Sequence, residues 1–416
     1  MIFRLALASL GARAVTVAMT VLAIALSTAL FLGVEKVRTG AKESFAGTIA
    51  GTDLIVGART GAVQLLLYSV FRIGNPTNNI TWESFQDIAA RDDVAWAVPI
   101  TLGDSHRQFR VMGTTPEFFE RYRFRRDGRI TLEEGTLNED LFDAVIGADV
   151  ARTLDYGVDT PLIIAHGIGS FSEHDNLPFR VSGVLARTGT PVDRTIIISL
   201  RGWEAIHVDW RNGAPIPGQS TPADRLRKMA LPSAEITAAL VGMESRLRIF
   251  QAQRDINTYR EEPLLAILPG VALTELWGIV GLAERALLAV AGMVVVTALI
   301  GMMATLFASL AARRREMAIY RAMGAGPRTI LLMLMLEAVV MALAGAALGL
   351  ALLYAGLFAL RPALDAAFGL WLPVGLPGAR EWAMLGGVVL AGAIVSALPA
   401  VRAYRISLAD GMQVRS

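Results

Sequence analysis

The sequence predicts a membrane protein with four transmembrane α-helices, in which a large α+β domain is inserted between the first helix and the other three. Composition and its distribution support this fold class. The chain has 416 residues, of which 54% are hydrophobic and only 18% charged, and its mean hydropathy is +0.48. The apolar residues concentrate at the two ends of the chain, whereas the middle has the mixed composition of a folded soluble domain. A purely soluble chain and a disordered chain are therefore excluded.

The first transmembrane helix is predicted between Arg13 and Glu35, where 21 consecutive residues carry no charge. A helix needs about 20 apolar residues to cross the hydrocarbon core of a bilayer. Arg4 and Arg13 precede the run, as basic residues precede a signal peptide. However, the run is longer than the roughly 7–15 apolar residues of such a peptide, and no A-x-A cleavage site follows it. We therefore expect an uncleaved anchor.

Three further uncharged runs near the end of the sequence predict the other helices. They cover residues 286–312, 338–360 and 382–401. The predicted organisation is residues 1–34 (N-terminus and first helix), 35–285 (α+β domain) and 286–416, the last containing the second helix (286–312), a loop (313–328), the third helix (329–360), the fourth helix (382–401) and the C-terminus.

The distribution of arginine predicts that both termini are cytoplasmic and that the large domain is periplasmic. Segments on the cytoplasmic side of a membrane carry an excess of Lys and Arg. With the N-terminus inside, the inner segments carry ten arginines and two acids, Glu316 and Asp410. The other side shows no such excess. The arginines are Arg4, Arg13, Arg313, Arg314, Arg315, Arg321, Arg328, Arg402, Arg405 and Arg415.

The large domain is predicted to mix strands with amphipathic helices. Thr81 and the pair Thr115-Pro116 precede helical patterns and are expected to cap them, with Pro116 at the first helical position. A body formed by 44–115 and 223–260 and an inserted lobe at about 116–211 are expected. Runs rich in β-branched residues predict strands at Val94–Ile100, Gln108–Gly113, Ala144–Gly147, Phe179–Leu185, Thr195–Ser199 and Ile236–Val241.

Two apolar stretches of this domain have an open interpretation. Residues 60–71, TGAVQLLLYSVF, are uncharged but too short to cross a membrane. They are expected either to lie on the membrane or at a subunit interface, or to form a buried helix of the domain. Residues 269–285 run directly into the second transmembrane helix, so we expect one continuous helix that links the domain to the membrane.

Several catalytic classes are excluded or disfavoured by the residues present. The chain has no cysteine and a formal net charge of only +2, so disulfides and thiolate sites are excluded and nucleic-acid binding is not indicated. No G-x-x-x-x-G-K-[ST] loop, G-x-S-x-G elbow or H-E-x-x-H helix occurs. The chain is therefore expected not to be an enzyme and not to bind ATP in the P-loop manner.

Three of the four histidines form a candidate metal site. His166, His174 and His207 fall within 42 residues of one another, and Glu173, Asp175 and Asp209 lie beside them. Imidazole and carboxylate groups are suitable ligands for divalent metals. Such residues are also common in ordinary surface or core positions, so both interpretations remain open.

Two features mark the C-terminal helices. Glu337 is the one acid within an apolar run, and it is expected either to anchor a partner helix or to serve in transport. The loop 313–328 combines three arginines, two amphipathic turns and a Gly-Ala-Gly-Pro break. It predicts a short helix along the inner face of the membrane, either a docking helix for a cytoplasmic partner or a simple positive anchor.

At this loop the sequence resembles a known family. RRREMAIYRAMGAGPRTILLMLMLEAVVMALAGAALGL (313–350) is similar to the signature of the FtsX-like domain of MacB-type ABC transporter permeases. LPAVRAYRISLADGM (398–412) is similar to the closing pattern of that family. The order of one helix, a large domain and three helices agrees with the resemblance, which covers the whole chain in outline.

The resemblance implies a dimeric inner-membrane permease that works with a separate LolD/MacB-type ATPase, because no nucleotide-binding domain is present. ATP and Mg would bind to that ATPase, and no cofactor would bind to the chain itself. A second copy of the chain, membrane lipid and a periplasmic adaptor or substrate-binding protein are the other implied partners. The residues implied to contact the ATPase through a coupling helix are Arg314, Arg315, Glu316, Met317, Ile319, Tyr320, Arg321, Met323 and Gly324.

Family members transmit ATP-driven closure through the long second helix, which is called mechanotransmission. The implied cargo is a lipid, lipoprotein, peptide or drug-like molecule, exported or extracted on the periplasmic side. One alternative is a regulator like FtsX, whose periplasmic domain switches a cell-wall hydrolase. The other is a metal-linked transporter or sensor that uses the three histidines.

Overall fold

The structure is a computed structural model that describes residues 10–11, 13–125, 127–167, 174–211, 214–312, 319, 322–368 and 375–405. The chain divides into two compact units. The helical unit comprises residues 1–40, 281–362 and 372–416, and the large domain comprises residues 41–280 and 363–371.

Four long helices are apolar enough to cross a membrane, which confirms the predicted number and order. Their candidate spans are Ala14–Gly47, Pro269–Leu310, Arg328–Leu360 and Ala379–Arg402. The full helices are α1 (Ala14–Gly47), α9 (Pro269–Ala312), α10 (Pro327–Phe368) and α11 (Ala379–Arg405).

Each helix of the helical unit buries one apolar stripe. On α9 the buried residues recur every three or four positions, as expected for one face of a helix. They pack against Ile24 of α1, Ala338 and Met341 of α10 and Val388 of α11. The stripe consists of Ala291, Val295, Leu299, Met302, Leu306 and Leu310. Large apolar side chains on the other faces, such as Leu287 and Met293, are exposed, as lipid contact requires.

Glycines let α10 approach α1 closely. A Cβ on Gly345 would lie 2.6 Å from Ile24 Cγ2, and one on Gly349 would lie 2.6 Å from the carbonyl oxygen of Ala25. Small residues at such positions allow membrane helices to associate by close backbone packing. The two glycines therefore fix the contact between the first and third membrane helices.

The large domain contains a ten-stranded mixed sheet in the order β16-β1-β15-β3-β4-β11-β8-β10-β7, with β9 paired to β10. Short pairs β12–β13, β14–β2 and β5–β6 lie outside it. The strands are β1 (Leu54–Ala58), β2 (Ile80–Thr81), β3 (Val94–His106), β4 (Phe109–Thr114), β5 (Arg123–Phe124), β6 (Gly128–Arg129), β7 (Leu132–Gly135), β8 (Asp143–Ile146), β9 (Pro161–Leu162), β10 (Phe179–Leu185), β11 (Thr195–Ser199), β12 (Trp210–Arg211), β13 (Ala214–Pro215), β14 (Glu235–Ile236), β15 (Ala238–Met243) and β16 (Leu264–Ile267).

Strands β1 and β15 are apolar and buried at every position because the sheet is covered on both faces. In β1, Leu54 and Val56 face one apolar cluster, and Ile55 faces another on the opposite side. In β11, Ile197 belongs to the same cluster as Ile55, whereas Ile196 packs with a third cluster. One cluster therefore extends along a whole face of the sheet, and two clusters share the other face.

Helices cover both faces of the sheet. Ser199 accepts a hydrogen bond from the Gly202 N–H and caps α6, which follows β11 directly. The helices of the domain are α2 (Ala62–Ser69), α3 (Trp82–Ala89), α4 (Glu117–Arg121), α5 (Ala148–Leu154), α6 (Leu200–His207), α7 (Ala223–Lys228) and α8 (Ile249–Asn257), with 3-10 turns at Pro191–Arg194 and Arg246–Arg248.

The predicted caps agree with the structure at one helix and shift by one residue at the other. The Thr81 hydroxyl accepts a hydrogen bond from the Ser84 N–H at 3.3 Å and caps α3. Pro116 occupies the capping position of α4, one residue before the position predicted for it, because the helical pattern begins at Glu117.

All six predicted strands are present, with ends shifted by a few residues. The largest change is at β3, which continues from Ile100 to His106. Strand β1 and the edge strand β16 were not predicted, since both are short uniform apolar runs. The sheet is continuous across the border predicted between body and lobe, because β11 pairs with β4 from Thr195 to Ser199. The division into body and lobe remains a prediction.

The structure decides between the two interpretations of residues 60–71. Leu65, Leu66 and Tyr68 of α2 are at most 1% exposed and belong to the core of the large domain. The segment is therefore a buried helix of the domain, and the membrane or interface alternative is wrong. The expected continuity of the second membrane helix is confirmed, since α9 is unbroken over 44 residues. The third candidate span ends at Leu360, as predicted, and its helix continues to Phe368.

Replacement of Gly349 by leucine is predicted to force α10 away from α1. The new side chain would overlap the Ala25 carbonyl oxygen and Thr28 Cβ, which lie 2.6 and 2.8 Å from the Cβ position. Overpacking of this kind costs about 1–3 kcal/mol. We expect a lower thermal unfolding midpoint in detergent and less monodisperse protein.

Gly356→Leu is the matched control, because it lies on the same helix and nothing lies within 4 Å of its Cβ position. This control is expected to behave like the wild type. Equal midpoints for the two variants would contradict the packing of α10 on α1.

Candidate functional site

The loop predicted to dock a partner is described only in part. Arg314, Arg315, Glu316, Met317, Tyr320 and Arg321 lie outside the described residues. Ile319 and Met323 are 56% and 71% exposed, and the Met323 N–H donates to the Ile319 carbonyl across one helical turn. Gly324 follows with φ +91°, a left-handed conformation that favours glycine and ends a helical turn. The turn therefore exposes two apolar side chains.

The acid inside the third membrane helix forms an ion pair between helices. Glu337 is fully buried, and its Oε2 lies 3.0 Å from a guanidinium nitrogen of Arg13, at the start of α1. A buried carboxylate in a membrane segment requires such a partner. This geometry favours the anchoring interpretation of Glu337 over the transport interpretation.

A second charged cluster joins the opposite ends of the membrane helices. Buried Glu35 accepts two hydrogen bonds from Arg38, at 2.8 and 2.9 Å, and lies 3.0 Å from Arg380 of α11. Arg38 also lies 3.5 Å from Glu284 of α9. We call this set, with the neighbouring pair Lys36–Glu381 at 3.2 Å, the charged network. It comprises Glu35, Lys36, Arg38, Glu284, Arg380 and Glu381.

The large domain brings the three predicted histidines together, with one carboxylate. One ligand atom each from Asp104, His166, His174 and His207 lies within 4.8 Å of the others. The His166 Nδ1 is 3.2 Å from Asp104 Oδ1 and 3.3 Å from His207 Nε2. His207 Nε2 is 3.3 Å from Asp104 Oδ2. We call these four residues the histidine cluster.

Three separate segments supply the histidine cluster. Asp104 lies in β3. A backbone bridge between Ser105 and Ala165 holds the loop after β9 beside this strand. The Gly167 N–H donates to Asp104 Oδ1 at 3.3 Å, which places His166 next to that carboxylate. His207 is the last residue of α6.

Small residues in the sheet allow α6 to lie close enough for this contact. A Cβ on Gly113 of β4 would lie 3.1 Å from Trp203 Cβ, and one on Gly103 of β3 would lie 3.6 Å from the Trp203 ring. Trp203 therefore packs directly on the sheet. Its carbonyl oxygen lies 2.8 Å from His207 Nδ1, which orients the ring of His207 one helical turn later.

Burial and the central carboxylate set the charges of the histidine cluster. Burial opposes ionisation of Asp104, but its close contacts with the imidazoles of His166 and His207 outweigh burial and hold the pKa of Asp104 below its ordinary value. Burial also opposes protonation of His207, but its contact with Asp104 raises the pKa of that imidazole. Burial lowers the pKa of His174 to about 4, so this ring is neutral at neutral pH.

A pocket of about 400 Å³ opens onto the histidine cluster. Asp104, His166 and His207 line it together with the carboxylates Glu204 and Glu235. Burial is the main cause that raises the pKa of Glu204. The histidine cluster is thus reached through a polar opening in the domain.

The structure brings the three predicted histidines together with Asp104, a carboxylate that the sequence analysis did not include. Asp175 is exposed, and Asp209 accepts hydrogen bonds from the N–H and hydroxyl of Thr221 instead. Glu173 lies outside the described residues. The sequence analysis did not include Asp104, because it lies 62 residues before His166. The available signal was a charged residue within an otherwise mostly uncharged strand pattern.

Glu35→Gln is predicted to destabilise the helical unit. The change keeps the size of the side chain but removes the negative charge that Arg38 and Arg380 share. Loss of one partner from a fully buried ion pair costs about 3–5 kcal/mol. We expect about 2 kcal/mol here, because Arg380 is mostly exposed and solvent screens its charge. The measurement is the thermal unfolding midpoint in nanodiscs.

Glu43→Gln is the control for this prediction, since Glu43 is an exposed glutamate on the same helix. It is expected to leave the midpoint unchanged. If both variants unfold at the wild-type temperature, the charged network does not stabilise the helical unit.

Comparison with known proteins identifies both halves of the chain. A family model described as FtsX-like permease C-terminal matches residues 288–408, and one described as MacB-like periplasmic core domain matches residues 17–238. A comparison with curated proteins gives no match.

Solved structures with low similarity include two domains of ABC transporters. The periplasmic region of MacB from Actinobacillus actinomycetemcomitans is 10% identical, with 55% of this chain and 94% of that chain covered and a TM-score of 0.33. The extracellular domain of the noncanonic ABC-type transporter YknZ from Gram-positive bacteria is 13% identical, with 52% and 99% covered and a TM-score of 0.29. At these TM-scores the two structures add nothing to the family assignment.

The two family models and the four apolar helices give one consistent assignment. Permeases of this type are multi-pass membrane components of ABC transporters, work with ATP-binding subunits and are generally not catalytic themselves. The model of the core domain alone matches more than half of the chain. The chain therefore belongs to the MacB/FtsX-like family of ABC transporter permeases.

Proposed function

We propose that the chain is the permease subunit of a bacterial ABC transporter in the inner membrane. It pairs with a second copy of itself and with a separate cytoplasmic LolD/MacB-type ATPase, which binds ATP and Mg. Both termini are cytoplasmic in this proposal, and the large domain is periplasmic. The arginine excess in residues 1–13, 313–328 and 402–416 supports this orientation.

The observation that carries the proposal is the unbroken helix α9. It begins two residues after β16, the last strand of the sheet, and ends at Ala312, directly before the loop 313–328. At about 1.5 Å per residue, its 44 residues extend for about 66 Å, more than twice the ~30 Å of a bilayer's hydrocarbon core. A displacement at the loop is thus carried along one continuous element to the edge of the sheet.

Four of the five hydroxyl groups buried among the described membrane helices support transmission of movement over passage of a solute; the fifth, Thr28 Oγ1, has no hydrogen-bond partner among the described residues. Thr20, Ser27, Ser309 and Ser396 each donate to a carbonyl oxygen three or four residues earlier in their own helix. Groups bonded in this way do not line a polar path. We infer that ATP hydrolysis drives a conformational change of the periplasmic domain. This change exports or extracts a lipid, lipoprotein, peptide or drug-like molecule, with or without a periplasmic adaptor.

Met323→Glu is predicted to abolish coupling to the ATPase. Met323 is 71% exposed in the loop. The substitution therefore adds a charge to the proposed contact and leaves no cavity in a packed core. The measurement is the ATP hydrolysis rate of the candidate ATPase with this chain in nanodiscs. We expect the wild type to stimulate hydrolysis and the variant to lose most of the stimulation, about tenfold or more for a disrupted apolar contact of ~1.4 kcal/mol.

Leu376→Glu is the matched control, because Leu376 is 93% exposed in the loop before α11 and receives the same new charge. It is expected to keep the wild-type stimulation. If the wild type neither binds the ATPase nor changes its rate, the proposed function is wrong. If Leu376→Glu loses as much stimulation as Met323→Glu, the loop is not the specific contact.

A further inference from the structure

Three of the eight buried side-chain atoms that have no hydrogen-bond partner among the described residues lie in the histidine cluster. His174 is fully buried, and neither of its ring nitrogens has a hydrogen-bond partner among the described residues. Asp104 Oδ2 is also buried without a hydrogen bond of acceptable geometry. A buried polar group without a partner costs about 1–3 kcal/mol, so native structures rarely retain one without a reason.

The spacing of the histidine cluster matches a tetrahedral metal site. Ligand atoms about 2.0–2.1 Å from a tetrahedral zinc ion lie about 3.3–3.4 Å from each other. Three distances, from His166 Nδ1 to Asp104 Oδ1, from His166 Nδ1 to His207 Nε2 and from His207 Nε2 to Asp104 Oδ2, are 3.2, 3.3 and 3.3 Å. His174 Nε2 lies 4.0 Å from Asp104 Oδ2, and one ligand atom of each of the four residues lies within 4.8 Å of the others.

The surroundings of His207 prepare it as a ligand. Its Nδ1 lies 2.8 Å from the Trp203 carbonyl oxygen, which can only accept a hydrogen bond, so Nδ1 carries the proton. In the neutral ring, Nε2 then has a free lone pair directed at Asp104 and His166. Metal-binding histidines commonly donate their other ring N–H to a backbone carbonyl in this way.

We propose that Asp104, His166, His174 and His207 bind one divalent cation of the zinc type. Three imidazole nitrogens and one carboxylate suit borderline cations such as Zn²⁺, whereas Mg²⁺ and Ca²⁺ require mostly oxygen ligands. The bound cation satisfies His174 and Asp104 Oδ2, the groups that are otherwise without partners. It also joins β3, the loop after β9 and α6 through a single centre.

The cation reaches the histidine cluster through the 400 Å³ pocket. His166 and His207 remain 35% and 21% exposed on its wall, whereas His174 and Asp104 form the buried side. This arrangement gives an entry path without opening of the sheet. The proposal concerns binding by the large domain and does not depend on the ATPase partner or on transport.

The test is zinc binding by the full chain in detergent after removal of metals with a chelator. Titration calorimetry with ZnCl₂ and metal analysis after gel filtration measure affinity and stoichiometry. We expect one zinc per chain with a Kd of about 1 µM or tighter, and a higher thermal unfolding midpoint in the presence of zinc, since a ligand that binds only the folded state stabilises it. Co²⁺ in place of zinc is expected to give the visible absorption of tetrahedral coordination.

His166→Ala and His207→Ala are the test variants, because both side chains are partly exposed and their loss leaves the sheet core intact. Each is expected to weaken zinc binding by about 100-fold or more. His106→Gln is the matched control. His106 is the fourth histidine, and its ring nitrogens lie 2.6 Å from the Ile163 carbonyl oxygen and 3.1 Å from the Tyr156 hydroxyl.

The proposal is overturned if the metal-free wild type takes up no stoichiometric zinc, in which case the histidine cluster is only a hydrogen-bonded group. It is also overturned if His166→Ala and His207→Ala bind zinc like the wild type, or if His106→Gln loses as much affinity as they do. If the chain binds stoichiometric zinc but neither binds a partner ATPase nor changes its rate, the metal site stands and the proposed function alone is wrong.

Discussion

The thickness of the bilayer fixes where this chain can place charge. Arg13 and Glu35 bracket the uncharged segment of α1, and the 22 positions from one to the other span about 33 Å of helix, close to the ~30 Å of hydrocarbon that must be crossed. At one end, Arg13 pairs with Glu337 of α10. At the other, Glu35 holds Arg38 and Arg380. Between these two levels, apolar stripes and glycines alone hold the helices together, because hydrocarbon offers polar groups no partner.

The large domain follows a different constraint, that of a sheet buried on both faces. Ile55 of β1 and Ile197 of β11 lie in one apolar cluster although they are far apart in the sheet. Such strands carry no polar side, so any charged residue within the sheet must find its partners locally. Asp104 in β3 is the example, since its carboxylate faces two partly exposed histidines and a third that is buried. The histidine cluster thus forms around a buried charged residue near the end of β3.

The features that were predictable are those with a local signal. Length and charge located four membrane helices, and β-branched runs such as Thr195–Ser199 located strands. Contacts between distant segments were not predictable. Asp104 meets His166 only because β3 and the loop after β9 form a bridge at Ser105 and Ala165. The charged network was missed for the same reason, since Glu35 and Arg380 lie at opposite ends of the sequence. Residues 60–71 had a local signal that was ambiguous, because an apolar run alone does not distinguish a membrane surface from a protein core.

The buried acids of the helical unit and the buried histidine of the large domain differ in whether they have partners among the described residues. Glu337 and Glu35 are buried, and each has a positively charged partner. Ion pairing therefore accounts for the burial of both acids. His174 in the large domain differs from these acids, because it is buried and neither of its ring nitrogens has a hydrogen-bond partner among the described residues. Unsatisfied groups persist where function or a bound ligand offsets their cost. In the described part of the large domain, the histidine cluster is where such groups lie among four residues whose ligand atoms lie within 4.8 Å of one another, an arrangement that a bound cation would stabilise.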